Sequence, residues 1–425
     1  MGTLNYFNRA LTAILFYDYN SDDQRPKTFF STDLSKIKLF FKFFKLTCAF
    51  PLSTIAWTLL RILSFRYKVT IYVLKSFRPG WASTYLNMME PLCRQLQHEN
   101  NSKHIKILVE PGEAVSKILV KSYEQQFTWY LDDRRKFLRL IAYLIPKSGL
   151  EKRFINTSDK FLPSWLYLPS KNYANLTNQT PSDLANMGIE SGNYVLFAHA
   201  SRNYYEARLS LQQMSQIQHR FYDLSTYELA LANLSKRNLK IVRIGVQVDE
   251  LPVALKNLPI IDYTGRTRTE ESELWLYENC RILLSATSGA FWFARRFDRP
   301  SIITNSYSWP LGFLSSLFTL MTIRRTDSGE LLSFAETIQL KVAPNFLENQ
   351  FMKDNHLELI PNSATTIANA VTDLLDLDNH QFKSTPEDLD LIKRYEAMLT
   401  SLNIPIVPKT NVPAISFLRE YRNLL

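Results

Sequence analysis

The sequence predicts an α/β protein with two Rossmann-like domains that face a cleft, preceded by a basic amphipathic helical segment. Short apolar runs of strand length alternate with segments of helical periodicity. The 425 residues exceed one ordinary domain, and a hydrophobic content of 46% is enough for two cores. The positive charge is concentrated at the start of the chain, where residues 1–80 hold 12 Lys and Arg against 4 Asp and Glu.

Residues 1–66 are predicted to associate with a membrane. Lys38, Lys42 and Lys45 share one helical stripe, and Phe and Leu residues occupy the other faces. The uncharged run 46–60 is shorter than the ~20 residues that span a bilayer, and Pro51 interrupts it. We expect a helix that lies on an anionic membrane surface, and the alternative is a pair of helices packed against the domain. The other 345 residues carry only +2, so a nucleic-acid partner is not expected.

Residues 67–190 are predicted to form the first Rossmann-like domain. Segments 67–74 and 104–109 have the apolar pattern of buried parallel strands, separated by a helix at 82–97. Helices are predicted at 113–122 and 134–145. The region 155–192 is rich in Pro, Asn and Thr, which is typical of a boundary or an irregular excursion.

Residues 191–380 are predicted to form the second Rossmann-like domain, and 381–425 its closing helices. The predicted strands are 194–198, 239–245, 260–263, 281–284 and 301–304, and the predicted helices are 224–236, 270–279, 290–297, 386–401 and 414–423. Ligands of such sheets bind at the carboxyl ends of the strands, where the connections diverge.

Polar side chains stand at four of these strand ends. Thr287, Ser288 and Gly289 form a turn between a strand and a helix, which is typical either of an anion site or of a simple helix cap. The other three ends carry His199 and Arg202, Arg243 and Gly245, and Asp262 and Tyr263. We therefore expect all four ends to meet on one rim.

In this order, the segments resemble a family of bacterial glycosyltransferases of the GT-B type, which is distantly similar to fucosyltransferases. The matching positions are His199, Arg202, Arg220, Asp223, Arg243, Gly245, Asp262, Tyr263, Cys280, Ser288 and Gly289. The resemblance covers roughly residues 67–425. It implies that 67–190 is the acceptor side and 191–380 the nucleotide-sugar side.

The resemblance also implies a function. A hexosyl or deoxyhexosyl group would pass from a nucleotide-diphosphate sugar to a cell-surface glycan or lipid-linked acceptor, without a metal or another cofactor. The enzyme would act in the cytoplasm, at the inner face of the cytoplasmic membrane. A GDP-linked donor is one possibility, and the sequence names neither the sugar nor the linkage.

The expected roles follow from the chemistry of a leaving diphosphate. Arg202 and Arg243 would neutralise its charge, since a guanidinium offers a bidentate fork. Asp262 would accept hydrogen bonds from a ribose or a base, and Glu270 would either do the same or cap its helix. His199 would act as a base, orient the diphosphate or be structural. Arg220 and Asp223 would either line the site or pair at a helix start.

Three positions depart from the family pattern. Asn203 replaces an aspartate, Phe221 an asparagine and Trp81 a histidine. No carboxylate therefore stands beside Arg202 in the sequence. The missing aspartate leaves open a non-catalytic nucleotide- or glycan-binding protein at the membrane. The fold itself leaves open a second alternative, a sugar-nucleotide epimerase, which would use the donor without an acceptor.

The remaining candidate groups indicate structural roles. The three cysteines lack metal or redox spacing, no cleavable signal peptide precedes them, and Cys280 is expected to be buried. The acidic pairs Asp376 with Asp378 and Asp388 with Asp390 are interpreted as solvated or capping residues, so no metal site is expected.

Overall fold

A computed structural model gives the fold of this protein. It describes residues 33–74, 103–110, 127–132, 137–146, 150–155, 179–207, 209–246, 248–265, 268–288, 290–306, 317–340, 349–404 and 412–425. The chain divides into two compact units, Met1–Tyr173 and Ala174–Leu425. Each unit contains its own parallel sheet. The α/β class predicted from the sequence is confirmed.

Unit 1 is built on a four-stranded parallel sheet with the order β3-β2-β1-β4. Its elements are α1 (Asp33–Ser64), β1 (Lys68–Leu74), β2 (His104–Glu110), β3 (Trp129–Asp132), α2 (Phe137–Leu144) and β4 (Glu151–Ile155). The strands and the helix predicted at 67–74, 104–109 and 134–145 are confirmed. The helices predicted at 82–97 and 113–122, and Trp81, lie outside the described residues.

The sequence did not predict the two edge strands of this sheet. β3 has the sequence WYLD and β4 the sequence EKRFI. Each has one neighbour among the described strands, so its residues need not form a continuous apolar run, and charge on an edge discourages pairing with other chains. The central strand β1 reads KVTIYVL and was recognised from its apolar residues.

Helix α1 has two apolar faces. One face packs on the sheet and on α2 through Ala49, Leu60 and the partly buried Trp57. Within residues 44–64, the other face is exposed and carries Phe44, Leu52, Ile55, Leu59 and Ile62. Its stretch Phe44–Ser64 is long and apolar enough to cross a membrane, with a mean hydropathy of 1.5.

Unit 2 is built on a seven-stranded sheet with the order β13-β10-β9-β8-β5-β6-β7, in which all the pairings are parallel. The strands are β5 (Tyr194–Ala198), β6 (Lys240–Ile244), β7 (Ile260–Tyr263), β8 (Ile282–Ala286), β9 (Ser301–Ser306), β10 (Leu317–Leu320) and β13 (Val412–Pro413). All five predicted strands are confirmed. β11 (Thr322–Arg325) and β12 (Leu357–Ile360) form a separate antiparallel pair.

The helices of unit 2 complete the layers around the sheet. Their bounds are α3 (Ser182–Asn186), α4 (Arg202–Glu206), α5 (Leu211–Gln216), α6 (Glu228–Lys236), α7 (Val253–Lys256), α8 (Glu270–Asn279), α9 (Ala290–Arg296), α10 (Phe334–Leu340), α11 (Asn349–Asp354), α12 (Ala364–Asp378), α13 (Pro386–Ser401) and α14 (Ile415–Glu420). Short 3₁₀ turns lie at Gln218–Arg220, Leu224–Tyr227 and Arg422–Leu424.

The strand order of unit 2 contains a topological switch point. From β5 the chain moves outward on one side through β6 and β7, and then returns to place β8 on the other side of β5. The loops after β5 and β8 therefore leave the sheet in opposite directions. A crevice between such loops is where open parallel sheets bind ligands.

The segment before β5 belongs to unit 2. The carboxylate of Asp183 in α3 accepts hydrogen bonds from the hydroxyls of Tyr263 and Ser272, both 2.8 Å long. The predicted domain boundary at residue 190 thus lies inside this unit, whereas the contacts divide the chain at 173/174.

The acidic pairs near the C-terminus are structural. Asp388 closes a capping box with Thr385 at the start of α13 and accepts two 2.7 Å hydrogen bonds from Arg419. Asp378 pairs with Arg281 at 3.0 Å and Asp376 with Arg237 at 3.6 Å. Capping is confirmed for Asp388, whereas ion pairing explains Asp376 and Asp378.

Candidate functional site

The polar residues predicted at the strand ends lie on four adjacent strands. In the order β8, β5, β6 and β7, the sheet presents Thr287, His199, Arg243 and Asp262. The register pairs Phe197 with Arg243 and Arg243 with Asp262. We call this carboxyl edge of the four strands the rim. The expected convergence of the strand ends is therefore present.

Arg243 connects three of the rim positions. Its guanidinium donates from Nε and Nη2 to Nε2 of His199, at 3.3 and 3.0 Å, and from Nη1 to Oδ2 of Asp262 at 3.0 Å. Nη2 also donates to the backbone carbonyl of Asp249. The side chain of Arg243 is only 2% exposed. It therefore holds neighbouring strand ends together, and its direct contact with a phosphate stays a prediction.

His199 is held in one protonation state by these contacts. Nε2 faces the guanidinium, so it must accept, and Nδ1 lies 3.2 Å from the carbonyl of Ala200, so it must donate. Burial, with the positive charge of Arg243, lowers the pKa of His199 to about 4. The imidazole is therefore neutral at pH 7, and its basic nitrogen is already occupied.

Asp249, in the loop after β6, is a site residue that sequence reasoning missed. Its carboxylate accepts hydrogen bonds from the Ser201 hydroxyl at 3.2 Å and from the backbone N–H groups of Arg202 and Asn203 at 2.8 and 3.0 Å. A carboxylate is thus present beside Arg202 after all, although residue 203 is not an aspartate. What could have indicated Asp249 in the sequence is its position a short distance after the end of the buried strand β6.

Arg202 stands at the start of α4 and reaches solvent. Its side chain is 51% exposed, pairs with Glu206 at 3.7 Å, and lies over the ring of Phe221 with 5.0 Å between the guanidinium carbon and the ring centroid. Surface ion pairs of this kind contribute little. The guanidinium therefore remains available to an anionic ligand.

The segment 220–223 is ordered by its own contacts. Arg220 donates from Nη1 to the Tyr205 hydroxyl at 3.0 Å. Asp223 is the N-cap of the 3₁₀ turn Leu224–Tyr227 and accepts from the backbone N–H of Ser225 at 2.8 Å. These hydrogen bonds lower the pKa of the Asp223 carboxyl. Asp223 therefore fixes the start of a helical segment through Ser225, whereas its pairing with Arg220 stays a prediction.

The turn after β8 divides its polar groups between two tasks. The Ser288 hydroxyl accepts from the backbone N–H of Ala290 at 3.3 Å and lies 2.9 Å from the Ser285 hydroxyl, so it caps α9. Thr287 is 7% exposed, and its hydroxyl has no hydrogen-bond partner within the described part of the chain. A buried hydroxyl without a partner is costly, which makes Thr287 a candidate for ligand contact. Gly289 lies outside the described residues.

The residues on and after β7 are mostly structural. The hydroxyl of buried Tyr263 donates to Asp183, so it points to α3 and α8. Thr269 is the N-cap of α8 and Glu270 is its first residue, so the capping role considered for Glu270 belongs to Thr269. Asp262 keeps an exposed carboxylate between Arg243 and the Thr264 hydroxyl.

Gly245 directly follows β6 and has a backbone conformation that requires glycine. Its φ is +150°, and a Cβ at this position would lie 2.6 Å from Cγ1 of Val248. Its carbonyl accepts from Nη1 of Arg268 at 2.8 Å. The residue therefore shapes the loop that leads to Asp249.

Two observations bear on the expectation that the protein has no redox chemistry and binds no metal. Cys280 is fully buried, as predicted, and burial raises the pKa of its thiol to about 12. Within the described ranges no cluster of three or more His, Cys, Asp or Glu side chains is arranged to hold a metal ion. Metal independence stays a prediction.

Comparisons with known proteins find similar chains among solved structures. No protein-family model and no curated protein matches the sequence. Among solved structures, the chain is similar to the iron-containing dodecameric glycosyltransferase TibC from enterotoxigenic E. coli H10407, with 12% identity and a TM-score of 0.36. The match covers 58% of this chain and 62% of TibC, so it spans less than two thirds of that protein.

Two further structures are of the same kind. The E. coli ADP-heptose LPS heptosyltransferase II matches with 14% identity and a TM-score of 0.37, over 60% of this chain and 90% of that one. The glycosyl transferase family 9 protein from Veillonella parvula DSM 2008 matches with 10% identity and a TM-score of 0.37, over 58% and 83%. Bacterial glycosyltransferases thus recur among the solved structures, whereas the similarity to fucosyltransferases stays a prediction.

Proposed function

We propose that the protein is a glycosyltransferase that passes a sugar from a nucleotide-diphosphate donor to a cell-surface glycan or lipid-linked acceptor without a metal ion. The observation that carries the proposal is the buried hydroxyl of Thr287 at the switch point between β8 and β5, which has no hydrogen-bond partner among the described residues. The same rim contains an exposed cation, Arg202, and a rigid cluster around Arg243. The motif resemblance in the sequence supports the same assignment.

The chemistry required is the stabilisation of a leaving diphosphate. Negative charge grows on its oxygens as the glycosidic bond breaks, and fixed donors stabilise that charge most effectively. Thr287 would donate its hydroxyl, and Arg202 would offer a guanidinium fork. Arg243 would act indirectly, because its N–H groups already hold His199 and Asp262 in place.

His199 fits an orienting role better than that of a general base. A base must have a free lone pair and a pKa near the working pH. The Nε2 lone pair of His199 faces Arg243, and its pKa is lowered to about 4. We therefore assign His199 to the positioning of Arg243 and of the β5 strand end.

A metal-free binding panel tests the proposal. The full chain is titrated with ADP, GDP, UDP, CDP and dTDP in the presence of a chelator, and thermal unfolding is recorded. We expect one nucleotide to raise the midpoint, since a ~100-fold excess over Kd adds ~2.7 kcal/mol. A chain that responds to none of the five nucleotides contradicts the proposal.

Two threonine variants locate the binding. Thr287→Val removes this hydroxyl and leaves the side-chain volume nearly the same. We expect it to reduce the affinity for the nucleotide by about tenfold. Thr372→Val is the matched control, because its hydroxyl bonds at 3.0 Å to the carbonyl of Ala368 within α12. Equal losses in both variants would place the nucleotide elsewhere.

A non-catalytic binding protein is the second candidate. It is favoured by one observation: Asn203 stands where the family pattern has an aspartate. Such a protein would bind the nucleotide in the panel but would neither transfer nor hydrolyse a bound sugar. An epimerase would convert the donor without any acceptor, so the products separate all three functions.

We also propose that α1 lies flat on an anionic membrane surface. A helix that spans a bilayer has lipid or other membrane helices on all sides, whereas one face of α1 packs on the α/β core of unit 1. The opposite face is apolar and exposed, and residues 1–80 supply a charge of +8 for anionic headgroups. The protein would then act at the inner face of the cytoplasmic membrane, where lipid-linked acceptors are reached.

A further inference from the structure

A small pocket opens beside the rim, between the loop after β5 and the segment 221–224. It has a volume of about 210 Å³ and is lined by Ala200, Arg202, Phe221, Tyr222, Leu224 and Asp249. Pockets for drug-sized ligands are roughly 300–1,000 Å³, so this one has room for a single ring only. It combines one carboxylate, one guanidinium and two aromatic rings.

The Asp249 carboxylate has one hydrogen-bonding position left. Two carboxylate oxygens offer about four lone-pair positions. Among the described residues, Oδ1 accepts from the Ser201 hydroxyl and the Asn203 N–H, and Oδ2 accepts only from the Arg202 N–H. The second lone pair of Oδ2 is therefore left over on a carboxylate that lines the pocket, where it can accept a hydrogen bond from a hydroxyl group.

Arg202 and Phe221 also line the pocket. The guanidinium covers one side of the Phe221 ring, with a carbon-to-centroid distance of 5.0 Å, and Tyr205 meets the same ring edge-on. Little aromatic surface is left for a base to be sandwiched between two rings. An aliphatic ring with C–H groups on one face and hydroxyls on its edge fits this mixture of apolar and polar groups.

We infer that this pocket is a subsite for one neutral sugar ring, and that the Oδ2 atom of Asp249 accepts a hydrogen bond from a ring hydroxyl. The inference rests on the proposed function and specifies where the sugar binds. A phosphate is disfavoured because it would approach the Asp249 carboxylate. Thr287 and Arg202 then serve the diphosphate, whereas Asp249 and Phe221 serve the sugar.

Paired ligands test the subsite on the full chain. The metal-free affinity is measured by calorimetry for ADP, GDP and UDP, each beside its glucose conjugate. We expect the conjugate of the nucleotide that binds to have the higher affinity, and we expect Asp249→Asn to reduce that advantage by about tenfold. Glu250→Gln is the matched control, since the neighbouring Glu250 side chain is 92% exposed.

A second variant makes the test independent of the hydrogen bonds between Asp249 and the start of α4. Asp249 also holds the start of α4, so Asp249→Asn could act through the fold. Phe221→Leu changes the pocket without touching those hydrogen bonds, and we expect it to reduce the same advantage. If Asp249→Asn weakens the nucleotide and its conjugate equally, or if neither variant changes their ratio, the inference is overturned.

The subsite is also measured without a nucleotide. Saturation-transfer NMR with methyl glucoside, mannoside and galactoside at millimolar concentration should give signals that Phe221→Leu abolishes and Glu250→Gln preserves. If the glycosides give signals and no nucleotide binds, the proposed transferase function is refuted and the proposed sugar subsite is retained. Nucleotide binding with no glycoside signal and no advantage of any conjugate would refute the subsite and retain the transferase.

Discussion

The Arg243 guanidinium donates from both Nε and Nη2 to Nε2 of His199 on the adjacent strand end. This contact fixes a neutral imidazole against a permanent cation. It also explains why a histidine and an arginine occupy the rim together with little solvent exposure. The basic nitrogen is used to satisfy a buried guanidinium, whose unpaired donors would otherwise be costly.

The first prediction concerns the pH dependence of stability. The folded-state pKa of His199 is about 4, and an unperturbed histidine has a pKa of 6.5. The unfolded chain therefore binds more protons between these values, so the free energy of unfolding rises with pH across this window. The contribution of His199 to the free energy of unfolding is fully present above pH 6.5. It falls by about 3 kcal/mol as the pH decreases toward 4.

Urea unfolding between pH 4 and 7.5 measures this slope. His199→Gln should make the slope shallower, because glutamine accepts from Arg243 and does not titrate. Part of the slope should remain, since burial also lowers the pKa of His219, to about 3. His380→Asn, at an exposed position with a φ of +56°, is the control and should leave the slope unchanged. An unaltered slope in His199→Gln would mean that His199 binds a proton as readily in the folded protein as in the unfolded chain.

The second prediction concerns Gly245. An alanine at its φ of +150° is strained by about 1–3 kcal/mol, and its Cβ would also meet Cγ1 of Val248 at 2.6 Å. Gly245→Ala should therefore destabilise the protein more than Gly192→Ala, where φ is +77° and no atom lies within 4 Å of the added Cβ. Val248→Ala should recover part of the loss in Gly245→Ala and none in Gly192→Ala, as measured by urea unfolding. Equal costs at the two glycines would contradict the steric argument.

The third prediction concerns the ion pair between Asp388 and Arg419. Hydrogen bonds from Arg419 lower the pKa of the Asp388 carboxyl to about 2, below its ordinary value of 3.8. Its contribution is thus present above pH 3.8 and is lost as the pH falls through 2. Asp388→Asn should cost about 2 kcal/mol at pH 7, because Arg419 is partly exposed and the pair is partly screened.

The control for this pair lies two residues away. Asp390 is exposed, so Asp390→Asn should leave the free energy of unfolding within about 0.5 kcal/mol of the wild type. The difference between Asp388→Asn and the wild type should shrink between pH 4 and 2. A difference that persists at pH 2 would assign the loss to the capping box instead of the charge.

The sequence predicted the central strands well and the site only in part. β1, β5, β6 and β8 are buried on both faces, so their apolar runs were recognised. The edge strands β3 and β4 lack such runs, and four-residue β10 is too short to stand out. The rim positions of His199, Arg243, Asp262 and Thr287 followed from the rule that ligands bind at strand ends.

The contacts between those positions did not follow from the sequence. Burial of Arg243 on β6 depends on how the neighbouring strands β5 and β7 bring two acceptors, His199 and Asp262, to one guanidinium. The role of Asp249 depends on a contact across 48 positions of sequence, from Ser201 to the loop after β6. Tyr263 has the same pattern as a ligand residue, and only the position of Asp183 shows that its hydroxyl points into the core.

The last prediction concerns membrane binding by α1. Ile55 and Leu59 are each 58% exposed on the face opposite to the packed one. Ile55→Glu with Leu59→Glu should abolish flotation with vesicles that contain phosphatidylglycerol, because two carboxylates would enter the apolar boundary and face anionic headgroups. Thr54→Glu with Thr58→Glu adds the same charge on the flank of the helix and should weaken flotation far less. Binding should fall on neutral phosphatidylcholine vesicles and with rising salt.

The orientation of α1 is tested by extraction. A helix that lies on the surface is released from vesicles by alkaline carbonate, whereas a spanning helix is retained. We expect release, since the face with Ala49 and Leu60 stays packed on unit 1. Retention would show that this face leaves the domain and that α1 spans the bilayer. If the wild type does not float and the glutamate variants convert a dimer to a monomer in solution, the exposed face binds a second copy of the chain instead of lipid.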